Sequence, residues 1–357
     1  MNRITKTVLT GAGAAAGSAA AATLGWWLHS KFSVEHKADL PPALDAERKD
    51  FVSASAGRLS YYQDARASGT PLVLIHSVNA AASAFEMKPL FERFGDERPV
   101  YALELPGFGF SERTKRDYTP ALFAEAVLEF LEHMLSGRGG ESADVVALSL
   151  SGEFAARAAL RAPERFNSLT LISPTGLDER ARDGGNETFY RVASRPLWAR
   201  AFYDLIATPA SIHYFLQGSF VGEVPEDLER YSYLTSHQPG AEHVPLRFIS
   251  GKLFTPQVRA YVYERLSVPT LALFDQDAFV GFEALPLLLN ANKDVRAVRL
   301  TPTRGLPHFE APERTAQVLR EFWRSRIDSG TTRRKSLRTV QSGLAYRRER
   351  KDVPSKG

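Results

Sequence analysis

Unbroken apolar runs of strand length recur along this sequence, and the stretches between them carry apolar residues at helical spacing. Pro71-Leu-Val-Leu-Ile-His76, Val100 to Leu105, Asp144 to Leu148, Ser168 to Ser173, Val268 to Phe274 and Val295 to Leu300 are runs of the first kind. They predict strands buried on both faces. Phe51 to Ser55 and Leu59 to Gln63 flank Gly57 and predict a strand pair. Ser83 to Phe94, Pro120 to Leu135 and the alanine-rich stretch from Ser151 to Pro163 predict helices. Pro312 to Ile327 predicts a closing amphipathic helix with Val318/Leu319 and Phe322/Trp323 on one stripe. Strand and helix in alternation predict an α/β fold: a mostly parallel sheet flanked by helices on both sides.

From about Gly176 to Tyr263 the alternation stops. Behind Pro196, the pairs Leu197/Trp198, Ala201/Phe202 and Leu205/Ile206 repeat at helical spacing, and Tyr214/Phe215, Tyr231, Tyr233 and Phe248 follow. Two compatible readings are a helical subdomain with its own core and a lid whose inner face is an apolar substrate pocket.

The two ends differ in kind from the body. Val8 to Leu28 carries no charge, is rich in Ala and Gly, and closes on Trp26-Trp27-Leu28. As a helix it is about 30 Å long, enough to cross a hydrocarbon core, with the tryptophans at the interface. A single membrane-spanning anchor over residues 1–34 is therefore expected. The alternatives are an export signal, cleaved to release a secreted protein, and a flexible leader. Residues 35–50 read as a polar linker holding Pro41-Pro42, and residues 51–329 as the folded body with a helical insertion at about 177–262. Residues 330–357 read as a basic, disordered tail or an anionic-lipid contact.

Charge changes the picture only by its location. The chain has a net charge of +4 and a pI near 9.2. Nine of its basic residues, from Arg333 to Lys356, lie in the tail against Glu349 and Asp352. The body is mildly acidic, and no nucleic-acid partner is expected. With no cysteine, thiolate nucleophiles, disulfides and thiolate metal sites are excluded. No metal or nucleotide motif is present, so no cofactor is expected.

The chemistry centres on Ser149. It stands between the run ending at Leu148 and the helix beginning at Ser151, with small residues two positions before it (Ala147) and after it (Ser151). A serine at such a turn is either a strained, outward-facing nucleophile, with the Leu150 amide aimed at the same space, or an ordinary helix cap. A nucleophilic serine needs a base, and the base an orienting carboxylate. Asp275-Gln276-Asp277 and Gly305-Leu-Pro-His308 follow two later strands. In a parallel sheet those strand ends share one edge with Ser149.

Five segments in order carry a resemblance: Leu72-Val-Leu-Ile-His76-Ser77-Val78-Asn79, Glu104-Leu-Pro106-Gly107-Phe-Gly109-Phe-Ser111, Ala147-Leu-Ser149-Leu-Ser151-Gly152, Leu273-Phe-Asp275-Gln-Asp277, and Gly305-x-x-His308 with Glu310-Ala-Pro312-Glu313. Over residues 51–327 the chain resembles the α/β-hydrolase fold superfamily, in its branch with a helical cap after the sixth strand. The resemblance implies a mostly parallel eight-stranded sheet. It implies Ser149 as nucleophile, His308 as base and acid, and Asp277 as orienter, with Asp275 the alternative. The Leu150 and Val78 amides become the oxyanion hole, each worth about 2.7–4 kcal/mol. His76 becomes a structural residue. Ser77, where the family has glycine, leaves open whether its own amide or the Asn79 side chain also contributes.

The expected function is a serine hydrolase that cleaves a small hydrophobic ester-like substrate, a carboxylic ester or thioester, through an acyl-enzyme. The alternatives are a membrane-tethered binding protein that has lost catalysis, and acyl transfer or carbon–carbon bond hydrolysis by the same three residues.

Overall fold

The computed structural model describes residues 21–136, 142–179 and 184–325. The sheet is built of β1 (Glu47–Ser53), β2 (Gly57–Asp64), β3 (Leu72–Ile75), β4 (Val100–Leu103), β5 (Ala143–Leu148), β6 (Phe166–Ile172), β7 (Thr270–Phe274) and β8 (Val295–Arg299). Their spatial order is β1-β2-β4-β3-β5-β6-β7-β8. β1 pairs antiparallel with β2 and β2 with β4, and every other pair is parallel. The runs without polar breaks became the centre: each residue of β3, β4 and β5 is buried. β1 begins at Glu47, inside the stretch read as linker. Its first four residues are exposed, so the pattern announced only its second half, from Phe51, as one arm of the predicted strand pair.

Helices flank the sheet: α2 (Lys88–Phe94), α3 (Pro120–Ser136), α4 (Ser151–Arg161) and α11 (Leu285–Ala291). α1 (residues 21–32) precedes the sheet in the chain, α12 (Pro307–Glu310) follows β8, and residues 312–325 form a further helix. Between β6 and β7 come α5 (Glu187–Ala193), α6 (Ala199–Ile206), α7 (Pro209–Gly218), α8 (Glu226–Ser236), α9 (His243–Ile249) and α10 (Val258–Tyr261), the helical insertion that the aromatic stretch predicts. The connection leaving β3 runs to one side of the sheet, towards β4, and that leaving β5 to the other, towards β6, so a switch point lies between these adjacent strands. Ligand crevices of open α/β sheets form at such a point, outside the carboxyl ends of the strands.

Among the described residues no helix is long and apolar enough to cross a membrane. Residues 8–20 of the expected anchor and the whole basic tail lie outside the described residues. The paired tryptophans behave differently from the interface anchors expected of them. Trp26 Nε1 donates to the Ala201 carbonyl at 2.7 Å and Trp27 Nε1 to the Leu197 carbonyl at 2.8 Å, so α1 docks on the insertion. An indole N–H needs an acceptor, and the carbonyls of α6 and the turn before it supply one without lipid headgroups. Ser30 Oγ donates to Asp204 Oδ2 at 2.6 Å, and His36 Nε2 lies 2.9 Å from the same oxygen. The chain then runs on as a strap: Gln238 donates to the Ala38 carbonyl, Tyr231 to the Pro41 carbonyl, and the Ala43 amide to Tyr62 Oη on β2.

The loop after β4, Pro106-Gly-Phe-Gly-Phe-Ser111, is held by its own polar groups. Ser111 Oγ donates to the Glu104 carbonyl at 2.6 Å and accepts from the Ser60 amide at 2.9 Å, while the Glu104 carboxylate accepts from the Phe110 amide. Gly109 has φ +50°, and a Cβ there would stand 1.6 Å from Glu104 Oε2. Gly109→Ala combines a backbone penalty with displacement of a buried carboxylate. It is expected to lower the free energy of unfolding by at least about 2 kcal/mol in urea titrations.

Candidate active site

At the end of β5 the chain must turn sharply into α4. Ser149 makes the turn in the left-handed region, φ +55°. Its amide donates to the Ile172 carbonyl at 2.8 Å, and Ser151 Oγ donates to the Leu148 carbonyl at 2.8 Å. Ala147 and Ser151 are fully buried, and a Cβ on Gly152 would come within 3.2 Å of Leu171. This explains how alanine and serine replace the expected glycines. Both fit the gap, and the serine hydroxyl finds a carbonyl. Ser149 is half-buried, and α4 begins two residues later.

β3 lies beside β5, so the loop after β3 faces the elbow. His76 is fully buried. Its Nδ1 lies 2.6 Å from the Ser77 carbonyl, and the Leu105 amide donates to Nε2 at 3.0 Å. One nitrogen donates and the other accepts, so the ring is neutral and joins two loops. Burial pushes its pKa down to about 4. The Ser77 amide donates to Glu86 Oε2 at 2.8 Å, and Asn79 Nδ2 to Glu86 Oε1 at 2.8 Å. Both are occupied, whereas Val78 makes no such bond among the described residues.

The two aspartates after β7 have different surroundings. Asp275 accepts from Arg299 Nε at 2.6 Å and from the Thr303 amide at 2.9 Å. Its pKa is lowered: burial raises it, but the Thr303 and Arg299 bonds outweigh that. Asp277 accepts from the Phe279 and Val280 amides at 2.7 and 3.1 Å, and burial raises its pKa. Its Oδ2 lies against Gly305, where a Cβ would be 2.7 Å away. Asp277 therefore borders the histidine loop without a cation bonded to it.

His308 is fully buried, and burial pushes its pKa down to about 4. Its Nε2 lies 2.6 Å from the Glu86 carbonyl, and its Nδ1 has no hydrogen-bond partner. A carbonyl only accepts, so Nε2 carries the proton here. Hydrogen bonds therefore link His308 to neither Ser149 nor an aspartate. The sequence-predicted residues lie on the loops after β5, β7 and β8, and among the described residues no hydrogen bond joins any two of Ser149, Asp277 and His308. The cavity lined by Glu153, Thr255, Val258 and Glu283 includes none of the three.

The insertion holds this edge from two sides. Glu310 Oε1 accepts from the Val221 and Gly222 amides after α7, while its Oε2 accepts from the Arg304 amide. Tyr231 of α8 stacks on Phe85 at 5.0 Å, and Lys88 pairs with Asp227 at 3.2 Å. Sequence reasoning missed Glu86 and the grip of Glu310. The signal for Glu86 was a lone acid in the apolar turn Ala84-Phe-Glu-Met87, which is a 3₁₀ turn with all four residues buried.

A serine on a strained strand-to-helix turn, at the carboxyl edge of a parallel sheet and beside a histidine loop, defines the α/β-hydrolase class of architecture. The model of the family described as "Alpha/beta hydrolase family" matches residues 72–318, and the chain belongs to that family. It is 31% identical over 134 residues to the 1-acylglycerol-3-phosphate O-acyltransferase ABHD5 of Rattus norvegicus, covering 38% of this chain and 36% of that one. The chain thus spans about a third of the length of the relatives it matches first. It is 25% identical over 270 residues to the dihydrolipoyllysine-residue acetyltransferase component of the acetoin cleaving system of Pseudomonas putida, covering 74% of this chain and 66% of that one. In solved structures the same fold occurs in a bacterial membrane phospholipase A (TM-score 0.62, 21% identity, 91% of this chain and 99% of that one). It also occurs in a thermophilic esterase from Thermogutta terrifontis (TM-score 0.61, 23% identity, 79% and 99%).

At φ +55° a glycine is less strained than an alanine. Ser149→Gly is expected to unfold about 1 kcal/mol later than Ser149→Ala in denaturant, the reverse of the usual order of these residues.

His76 gives a pH dependence of definite sign. Its folded pKa, about 4, lies below the ordinary value of 6.5, so the unfolded chain takes up the proton first. Its contribution to stability is full above about pH 6.5 and is lost as pH falls towards 4. The buried carboxyls of Glu86 and Glu104, raised by burial, act with the opposite sign. The effect is therefore read as a difference. Between pH 6 and 4.5, His76→Gln should lose up to about 1.4 kcal/mol per pH unit of the wild-type slope in urea titrations.

Proposed function

We propose that this chain is a serine hydrolase acting on a hydrophobic carboxylic ester or thioester through an acyl-enzyme. The observation that carries the reading is the left-handed Ser149 between β5 and α4, at the one sheet edge where the β3, β7 and β8 loops also end. In the proposed reaction Ser149 Oγ attacks the acyl carbon as His308 takes its proton. The Leu150 and Val78 amides receive the oxyanion. The leaving alcohol or thiol departs with the proton from His308, and a water deprotonated by His308 then releases the acid. Asp277, free of the cation that engages Asp275, is the orienting carboxylate. The ring must first leave the Glu86 carbonyl and move its proton to Nδ1.

The aromatic insertion is proposed as the cap of the substrate site, since it holds both the His308 loop and the turn at Glu86. An apolar substrate fits that reading, as do the lipid and ester substrates named for the phospholipase and esterase of the same fold. Leu24, Leu28 and Phe32 of α1 are exposed, as are Leu197 and Leu205 of the insertion, and Trp27 bonds the Leu197 carbonyl. With Lys31 nearby, they support attachment at a membrane surface, the rest of the anchor being residues 8–20. Acyl transfer by the same three residues is the nearest variant, since both named relatives are acyltransferases, and product analysis separates it.

A second reading, a binding protein without catalysis, is favoured by one observation: His308 Nε2 lies on the Glu86 carbonyl and not on Ser149. The full chain in detergent should hydrolyse p-nitrophenyl esters and label with a fluorophosphonate at Ser149. Ser149→Ala should lower kcat/KM by at least about a thousandfold. Retained turnover in that variant refutes the mechanism, and a wild type that neither turns over nor labels supports the binding reading.

A further inference from the structure

Glu86 carries more of the site than its place in a short turn suggests. It is 5% exposed, and among the described residues no cation forms an ion pair with it. Burying a carboxylate this way is costly unless hydrogen bonds replace its water. Here they do: the Ser77 amide donates to Oε2 at 2.8 Å, and Ser77 Oγ and Asn79 Nδ2 donate to Oε1 at 3.0 and 2.8 Å. Asn79 also donates to Ser77 Oγ at 2.8 Å and accepts from the Ala81 amide at 2.7 Å. The loop after β3 is thus folded around this one carboxylate. The same residue's backbone carbonyl receives His308 at 2.6 Å. The turn that carries it is fixed from outside by the Phe85–Tyr231 stack and the Lys88–Asp227 pair.

Resting on the hydrolase reading above, we propose that Glu86 is a positioning residue for the acyl transfer. Its carboxylate fixes the loop that presents the Val78 amide to the oxyanion, and its turn sets the resting place of His308. Two consequences follow from the donors it occupies. Ser77 and Asn79, polar residues beside an oxyanion, are prevented from taking part. Val78 alone contributes from this loop, at a position set by three hydrogen bonds and not by the flexibility of glycine.

The test uses the full chain in detergent, with Glu86→Gln and, because a buried substitution can fail to fold, Asn79→Ala. Gln turns one acceptor oxygen into a donor group that faces the Ser77 amide or the Asn79 amide. Expected for Glu86→Gln is a fall in kcat of ~10- to 100-fold with KM within about twofold. Affinity for an alkyl trifluoromethyl ketone, which forms a tetrahedral oxyanion adduct on serine, should fall by the same factor. Affinity for the product acid should not change. Asn79→Ala should move the same two quantities in the same direction by a smaller factor. A purely structural role would lower the melting temperature and leave the ketone-to-acid affinity ratio alone. Folded Glu86→Gln with kcat and ketone affinity within twofold of wild type overturns the proposal, and if that variant does not fold, the same result for Asn79→Ala does. Wild type that fails to label at Ser149 overturns the hydrolase reading as well, so the two failures are distinct.

Discussion

The close approach of β5 and α4 at Ser149 is the constraint on which the rest of this structure depends. A strand that ends in the middle of a parallel sheet must send its chain straight into a helix, and only a left-handed residue turns that sharply. The strain is held by neighbours that cannot easily move: the Ser149 amide on Ile172, the Ser151 hydroxyl on Leu148, and fully buried Ala147 in register between Ile75 and Leu171. A backbone in this region costs about 1–3 kcal/mol and survives only where surrounding structure over-determines it. The large buried core beneath, from Val145 and Val146 to Phe154, supplies that surrounding structure.

Around this fixed point the other groups are carried on loops, and each loop has its own buried anchor. His76 ties the β3 loop to Leu105. Glu104 and Ser111 tie the β4 loop to itself and to β2. Asp275 ties the β7 and β8 loops through Arg299 and Thr303, and Glu310 ties the histidine loop to the insertion. The division between the two aspartates follows from this. One carboxylate, held low by its partners, is structural, and the other, raised by burial, is left to face the histidine loop. The N-terminal strap reaches Asp204, Gln238 and Tyr231 of the insertion and then Tyr62 of the sheet, so insertion and sheet share an anchor outside the site.

What the sequence shows clearly is what hydrophobic patterning controls. Every central strand was legible because burial on both faces leaves no polar break; Ser149 and both aspartates stand within three residues of predicted strand ends, and His308 lies in the loop that follows the last one. What it hid was set by tertiary pairing. β1 is an exposed edge whose charges read as linker, and it is a strand only because β2 offers it a ladder. Trp26 and Trp27 have the composition of an interface belt, but their indoles find carbonyls on a helix some 170 residues away in the chain. The different surroundings of Asp275 and Asp277 turn on Arg299, which no local motif connects to either. Glu86 was invisible for a similar reason. Nothing in Ala84-Phe-Glu-Met87 says that its carboxylate closes a loop nine residues earlier.

A buried carboxylate beside a site that must stabilise an oxyanion looks like a liability, since two negative charges in a medium of low dielectric repel strongly. The geometry shows how the arrangement is tolerated. Glu86 spends its charge on three donors that belong to the same loop, two of them on Oε1 and one on Oε2. The field that reaches the elbow is therefore that of a hydrogen-bonded cluster, not of a bare anion. The bonds also give the loop a shape that a glycine-bearing loop would have to find at each turnover. Cost and benefit thus come from one residue: the electrostatic penalty is contained inside the loop, while the order it imposes is delivered at Val78. Burial keeps His308 neutral, and the carbonyl of the same turn holds it in the tautomer that already carries its proton at Nε2. In the proposed reaction that hydrogen bond is exchanged for one to Ser149. The insertion grips this turn through Tyr231 and Asp227, so the resting place of His308 depends on α8 as well as on Glu86.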